Sequence, residues 1–282
     1  MSVAVGRAER TWTQRAWQVL GPGGVVSAAV VVLVLLAALW PQLLAPGDPT
    51  AVAPAEAYQP PGAGAPLGTD ASGRDVYTRV VHGAGQSLGV GALATAIGLG
   101  LGVLLGFGAA LGPRWLDGLL SRVIEVLFSL PSLVLALLLV AVLGAGVGPS
   151  VISVGLATAP GYARILRARA QAVAQSAYVG AARLEGVSAP AAFVRHVLPN
   201  TVWPLVAVAT LGVGQAIVWV SALSYLGLGA LPPSPEWGAM LNAGRLHITS
   251  SWLLTVAPGL AITVTAAALT MLGRRLSAVA PS

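Results

Sequence analysis

A series of apolar runs, each about as long as a lipid bilayer is thick, constrains the fold of this chain more than any other feature. A helix rises 1.5 Å per residue, so about 20 residues cross a hydrocarbon core of roughly 30 Å. Charged residues make up only 9% of the chain, against roughly 25% in soluble domains, so they cannot coat a water-facing surface. We therefore predict an all-α integral membrane protein with about six transmembrane helices, over residues 25–44, 87–111, 119–143, 151–166, 202–228 and 252–272.

The arginines indicate how these helices are oriented. If the N-terminus is cytoplasmic, six spans place twelve of the fifteen arginines on the cytoplasmic side and leave Arg74, Arg79 and Arg245 outside. Cytoplasmic loops carry an excess of basic residues, so this orientation, with both termini in the cytoplasm, is favoured. The run 151–166 is short and contains a proline. We still count this run as a span, because without it the arginine cluster at 164–195 would lie on the external side.

These boundaries divide the chain into a transmembrane core and polar flanks. Two polar segments interrupt the core, one on the cytoplasmic side between the fourth and fifth spans and one on the external side after the fifth. The predicted divisions are a cytoplasmic N-terminal segment at 1–24, a first transmembrane helix at 25–44, an external loop at 45–85, the core at 86–275 with its polar segments at about 168–200 and 231–250, and a cytoplasmic tail at 276–282.

The composition excludes several kinds of chemistry. Every basic residue is arginine, whereas a phosphate-binding P-loop needs a lysine, so ATP hydrolysis by that route is excluded. The chain has no cysteine, which excludes disulfides and cysteine-ligated metals. We expect no catalytic residue, metal or cofactor. The net charge of +6 reflects the membrane orientation rather than binding to nucleic acid.

Two other classes of membrane protein would need residues that are scarce here. A secondary transporter has repeated halves and buried coupling residues, and only Glu125 could serve as an ionisable coupler. Arg122, one turn earlier, favours an internal ion pair for Glu125 instead. A membrane enzyme needs clustered His, Asp, Glu or Ser groups at membrane depth, and the sequence shows no such cluster. An ion-gradient-driven secondary transporter is kept as the alternative.

The segment YVGAARLEGVSAPAAFVRHVLPN, residues 178–200, interrupts the apolar runs with charges, glycines and prolines. The alanine-rich stretch 164–185 predicts a helix, which Gly186 can end in the left-handed conformation. Ser188 can then cap a second short helix. Pro199 should lie just past its end, because the residue before a proline avoids helical geometry. The small side chains predict a compact hairpin that enters a cleft on a partner; an ordinary connection between spans is the alternative.

The same segment resembles the EAA loop of permeases in binding-protein-dependent ABC importers. That pattern runs Glu-Ala-Ala, three residues, Gly, nine residues, an apolar residue, any residue, Leu-Pro. Gly180 takes the position of the glutamate, and His196 that of the apolar residue. The positions that match the pattern are Ala181, Ala182, Gly186, Leu198 and Pro199.

Three further stretches are similar to the dipeptide, oligopeptide and nickel branch of that family. They are LGTDASGRDVYTRVVHGAGQSLGVG (67–91), PGYARILRARAQAVAQSAYVGAAR (160–183) and SALSYLGLGALPPSPEWGAMLNAGR (221–245). The resemblance implies a C-type permease subunit of a bacterial cell membrane, which forms a path for peptides, nickel or related small solutes with a homologous permease. It also implies an extracytoplasmic solute-binding protein and two ATPase subunits, or one bifunctional ATPase chain. The residues it assigns to an ATPase-coupling loop are Tyr178, Ala181, Ala182, Arg183, Gly186, Arg195, His196, Leu198 and Pro199.

Two further groups of residues could serve transport. The first group lies on the predicted external loops and could contact the solute-binding protein. Its first two members could instead form a local ion pair, and simple solvation is favoured over a contact with the binding protein; its tryptophan could anchor at the bilayer surface. The group comprises Arg74, Asp75, Glu236 and Trp237. The second group lies in the fifth span and could line the translocation path or form hydrogen bonds between helices; it comprises Gln215, Ser221 and Ser224.

Overall fold

The computed structural model describes residues 12–202 and 204–279, and the predicted segments beyond these ranges lie outside the described residues. Within them the regular structure is helical apart from two isolated β-bridges, which confirms the predicted all-α fold. The α-helices are α1 Trp12–Leu39, α2 Pro41–Leu44, α3 Val76–Leu111, α4 Arg114–Phe128, α5 Ser132–Leu143, α6 Val147–Ala174, α7 Ala177–Leu184, α8 Ala189–Ala192, α9 Leu198–Val202, α10 Leu205–Tyr225, α11 Trp237–Gly244 and α12 Leu253–Val279. A π-helical turn, Phe193–Val197, joins α8 to α9.

Four of the described helices are long and apolar enough to cross a bilayer: α1 from Gly21 onward, α3, α10 and α12. The pair α4–α5 makes a fifth candidate, broken by a bend of 92°. Helix α6 has 28 residues, but its arginines and Pro160 keep it outside this apolar set. The count of six spans therefore stays a prediction.

Several predicted span boundaries differ from the helix ends, and two of the differences have a clear local cause. The first apolar helix ends at Leu39 rather than residue 44, because Pro41 starts the separate helix α2; a proline fits the first turn of a helix but not its interior. Helix α3 begins at Val76 rather than residue 87. There the Asp75 carboxylate accepts hydrogen bonds from the Tyr77 and Thr78 amides, at 3.2 and 2.9 Å, and so caps the helix.

The third apolar run is bent more sharply than its single proline suggested. Instead of one helix over 119–143, α4 and α5 meet at the 92° break. Pro131 is the N-cap of α5. Because a proline has no amide hydrogen and disfavours helical geometry in the residue before it, the helix stops on one side of Pro131 and restarts on the other.

The tightest helix packing joins α3 to α6 through glycines one turn apart. A Cβ added at Gly98 would lie 2.2 Å from the Thr158 hydroxyl, and one at Gly102 would lie 2.5 Å from the Tyr162 Cβ. One at Gly106 would lie 2.8 Å from a carbonyl oxygen of α6. Small residues at i, i+4 and i+8 share one helix face and let two backbones approach closely in lipid.

The helices place the polar segments at two opposite ends of the molecule. We call the first the arginine-rich end. Helices α3, α6 and α12 finish there, and α4 and α10 begin there. Gly273 near the end of α12 packs against Leu211 near the start of α10. The second, which we call the loop lobe, comprises residues 45–75 and 226–252. Candidate functional residues occur at both ends.

Candidate functional site

The hairpin segment, residues 175–202, forms the exposed part of the arginine-rich end. The predicted continuous helix over 164–185 is wrong, because α6 ends at Ala174 and α7 starts at Ala177. The Ser176 hydroxyl donates to the Val173 carbonyl at 2.6 Å, and the Ser176 carbonyl accepts from the Gly180 amide at 3.0 Å. Serine competes for backbone hydrogen bonds in this way, so it closes one helix and opens the next.

Gly186 forms the corner of the hairpin, as the sequence predicted. Its φ is +90°, a conformation that costs other residues roughly 1–2 kcal/mol. The Val187 amide donates across the corner to the Ala182 carbonyl at 3.0 Å, which is the bond that closes a helix before a left-handed glycine. Helix α8 follows, and its last amide, that of Ala192, donates to the Ser188 carbonyl at 2.9 Å.

Pro199 does not end the second helix, so that prediction is wrong. Leu198 has helical angles, φ −58° and ψ −51°, and its amide donates to the Phe193 carbonyl across the π-helical turn. Pro199 then occupies the first turn of α9. An amide in the first turn has no partner within its own helix, so the missing hydrogen of Pro199 costs little there.

The two arms of the hairpin are joined by side chains at their base. The Tyr178 ring packs edge-on against the His196 ring with centroids 5.9 Å apart. The Asn200 amide group donates to the Tyr178 hydroxyl at 3.3 Å and to the His196 carbonyl at 2.8 Å. Val179 of α7 and Val197 of the π-helical turn are buried, and both of these elements contact α6. Burial of these two valines was not foreseen, although alternation of apolar and polar residues could have indicated it.

The tip of the hairpin faces open space. A Cβ added at Gly180 or Gly186 would meet no atom within 4 Å, and the Leu184 side chain is 91% exposed. The sequence-predicted residues Ala181, Arg195 and Pro199 are also exposed, Ala182 and Leu198 are half-buried, and the side chain of Arg183 lies outside the described part of the structure. Leu184 is the residue that the motif did not single out, since its position in the pattern accepts any residue.

Contacts at the base connect the hairpin segment to the spanning helices. Phe193 packs edge-on against Phe107 of α3, with ring centroids 5.4 Å apart. Beside it, Arg167 of α6 donates two hydrogen bonds to the Asp117 carboxylate of α4, at 2.9 and 3.1 Å. Arg164 lies 4.2 Å above the Phe128 ring. The hairpin therefore rests on α3, and the end of α6 on α4.

In the loop lobe, Glu236 and Trp237 are only 1% and 2% exposed. The Glu236 carboxylate caps α11 by accepting from the Gly238 and Ala239 amides, at 3.0 and 2.9 Å. The Trp237 indole donates to the Val80 carbonyl at 2.8 Å. Such buried, hydrogen-bonded side chains cannot reach a partner, so the predicted contact of these two residues with a binding protein does not fit the structure.

Arg74 and Asp75 do not pair with each other, which corrects the predicted ion pair. The Asp75 carboxylate is used as the cap of α3, and Arg74 instead pairs with Asp70 at 2.8 Å. The buried Arg79, which was not among the candidate residues, lies 3.6 Å from the Asp70 carboxylate. Its guanidinium also donates to carbonyl oxygens of Pro49, Pro233 and Ser234, and so it joins the two loops of the lobe.

The candidate path residues of α10 fall into two classes. Ser221 and Ser224 are buried: the first hydroxyl donates to Glu236 at 3.4 Å, and the second accepts from the Ala230 amide at 3.2 Å. Both serines therefore favour a role in structural hydrogen bonds over a role in lining the translocation path. Gln215 is exposed and stays a candidate for the path. The predicted Arg122–Glu125 pair is present at 3.5 Å.

Long apolar helices packed through glycine, with an exposed helical hairpin at the arginine-rich end, define the chain as a multi-pass membrane protein. Residues 98–278 match the family described as binding-protein-dependent transport system inner membrane component, and the chain belongs to this family. It is a permease component of such a transport system, and none of these findings favours a secondary transporter. No group of residues that could hold a metal is found in the described ranges.

Three relatives illustrate the similarity. The chain is 35% identical to the glutathione transport system permease protein GsiD of Pectobacterium atrosepticum, over 88% of this chain and 83% of the relative. It is 37% identical to the probable D,D-dipeptide transport system permease protein DdpC of Escherichia coli, over 91% and 87%. It is 34% identical to the dipeptide transport system permease protein DppC of Alkalihalophilus pseudofirmus, over 88% and 82%.

Proposed function

We propose that the chain is the C-type permease subunit of an ABC importer for small peptides. A homologous permease completes the translocation path, a solute-binding protein delivers the cargo at the loop lobe, and two ATPase subunits, or one bifunctional chain, hydrolyse ATP. The names of the relatives, which refer to glutathione, dipeptide and D,D-dipeptide transport, support this cargo class. Nickel and related small solutes, which the sequence resemblance also implied, are the second candidates.

The observation that carries the proposal is the open tip of the hairpin segment above a buried base. A docking element needs accessible surface at its tip, which Leu184 and Ala181 offer. It also needs a rigid connection to the helices that it moves. Val179 and Val197, with 0% and 1% exposure, supply that connection, because closely packed interiors transmit displacement rather than absorb it.

The replacement of the family's glutamate by Gly180 shapes how docking works in this chain. A glutamate would offer the ATPase a carboxylate for an ion pair. Position 180 has no side chain here, and the exposed tip carries Leu184 beside Glu185; burial of one exposed leucine contributes about 1.5–3 kcal/mol. We propose that Leu184 carries the docking affinity that the missing carboxylate cannot.

The proposed orientation places the arginine-rich end and both termini in the cytoplasm of a bacterial cell, with the loop lobe outside. The basic residues of cytoplasmic loops support this. Specificity for the cargo is proposed to lie in the binding protein, because the spans hold few polar groups. If exchange of the binding protein left the transported solute unchanged, this assignment of specificity would be wrong.

Cysteine crosslinking tests the proposed function, since the native chain has no cysteine. In the complete importer, reconstituted in vesicles, Leu184→Cys should crosslink to an ATPase subunit. The matched control is Leu246→Cys in the loop lobe, where the side chain is 79% exposed, and it should not. An assembly that imports a labelled dipeptide on ATP without any Leu184 crosslink would contradict the docking assignment. Uptake by the isolated chain on an ion gradient would support the secondary transporter instead.

A further inference from the structure

An apolar groove of about 510 Å³ runs between α1, α3, α10 and α12. Its walls are formed by aliphatic side chains, among them Val34, Ala92, Val213 and Leu272, and by Thr210 and Thr265. The Thr210 hydroxyl already donates to the Val206 carbonyl at 2.8 Å. The groove therefore offers water too few polar partners to be favourably hydrated, and an apolar occupant is expected.

The groove lies on the side of α10 that faces away from the candidate path residue. Residues on a helix are separated by about 100°, so Val213 and Gln215 differ by roughly 200°. Val206 and Thr210 lie on the same side as Val213. If Gln215 faces the path, the groove opens toward lipid.

One end of the groove lies next to a cationic side chain, that of Arg275. Leu272 is a groove residue, and Arg275 follows one turn later, about 4.5 Å further along α12. The Arg275 guanidinium lies within 3.8–4.0 Å of the position that a Cβ on Gly21 would take, so it sits against α1 below the groove. No carboxylate in residues 12–202 and 204–279 pairs with Arg275.

We propose that this groove binds an acyl chain of an anionic phospholipid from the leaflet at the arginine-rich end, with the lipid phosphate at Arg275. Along α10 the groove covers Val206 to Val213, or about 10 Å of depth, and Arg275 is at the end nearer the bilayer surface. An apolar channel that leads to a cation complements a molecule with an apolar chain below an anionic headgroup. The lipid would join α1 to the helices of the core.

Lipid retention by the complete importer tests this inference. After purification in mild detergent, phospholipids bound per complex are identified by native mass spectrometry and lipid extraction. The native assembly should retain anionic phospholipid, and Arg275→Gln should reduce the retained amount about fivefold. The neighbouring Arg274→Gln is the matched charge control and should retain lipid as the native assembly does. Equal retention by both variants would overturn the assignment of Arg275.

A second pair of variants tests the groove itself. Ala92 is an exposed groove residue and Ala96, one turn along α3, is exposed outside the groove. Ala92→Phe should displace the lipid, whereas Ala96→Phe should not. If the native assembly holds no phospholipid and Ala92→Phe prevents assembly with the second permease, the groove receives a partner helix and the inference is overturned. Transport activity is not the readout, so an importer that transports peptide without bound lipid would refute this inference alone.

Discussion

Glycine has opposite roles in the α3–α6 interface and in the hairpin segment. At Gly98, Gly102 and Gly106 a Cβ would lie 2.2–2.8 Å from atoms of α6, well inside van der Waals contact. At Gly180 and Gly186 a Cβ would meet nothing within 4 Å. The interface uses the absence of a side chain to bring two backbones together. The hairpin uses it for backbone conformation and for access by a partner.

This difference predicts that substitutions in the α3–α6 interface change the stability of the fold, whereas substitutions at the hairpin tip change the docking of the ATPase. A substitution in the interface must push two spanning helices apart, so its effect should appear in the folded state itself. A side chain added at the hairpin tip meets no neighbour within the chain, so it should leave global stability unchanged, and a change of side-chain chemistry there should appear when the ATPase docks. Four substitutions, from the largest expected effect to the smallest, test this separation.

Gly102→Leu should have the largest effect, a destabilisation of about 3 kcal/mol or more, because its side chain cannot fit against Tyr162 without separation of the helices. Thermal unfolding and the yield of folded protein in membranes measure it. Gly100→Leu is the matched control: the same helix and the same substitution, but in open space. A similar loss at both positions would show that general intolerance of glycine replacement, rather than close packing, explains the result.

Leu184→Asp should leave stability unchanged and weaken docking by about 1.5–3 kcal/mol, or roughly 10- to 150-fold, because the apolar contact is lost. ATPase binding and ATP-driven uptake by the reconstituted importer measure this effect. Leu246→Asp, at an exposed leucine of the loop lobe, should retain ATPase binding. A lower unfolding temperature for Leu184→Asp would place this residue in the folded core and break the comparison.

Gly186→Ala should cost roughly 1–2 kcal/mol, since alanine must adopt a φ of +90°. Space is not the reason, because a Cβ there is unobstructed. The cost should appear as faster local hydrogen exchange in 177–192 with little change in global unfolding. If Gly186→Ala lowers the global unfolding temperature as much as Gly102→Leu does, the hairpin is not an independent unit.

Gly180→Glu should have the smallest effect on stability, near zero, because the position is open and a glutamate favours helix more than a glycine does. It restores the residue that the family pattern has. We expect unchanged or tighter ATPase binding, measured in the assembled complex against Gly180→Gln, which has the same size without the charge. Tighter binding for glutamate alone would show that the ATPase retains a basic partner for it.

Sequence patterns foretold the features that depend on near neighbours. The corner at Gly186, for example, follows from the conformational freedom of one residue. Features that depend on competing partners were missed. Arg74 could pair with Asp75 or Asp70, and only the loop geometry shows that helix capping already occupies Asp75.

Pro199 is a second case in which local sequence preferences failed to predict the structure. In an isolated chain, the residue before a proline avoids helical geometry, which predicts a helix end. The π-helical turn changes the hydrogen-bond register before Pro199, so the proline enters the first turn of a new helix. Whether such a turn forms depends on the packing of Phe193 and Val197 against other helices, which local preferences do not contain.

The sequence by itself determined that the chain belongs in lipid, and it indicated where the polar segments interrupt the apolar runs and where the hairpin turns. These follow from residue composition and from interactions within one or two helical turns. Only the tertiary structure decided that Glu236 and Trp237 are internal, that Arg79 joins two loops, and that a groove ends at Arg275. Those outcomes depend on atoms from segments more than a hundred residues apart, as in the bond from Trp237 to Val80, and their proximity is set by the packing of whole helices.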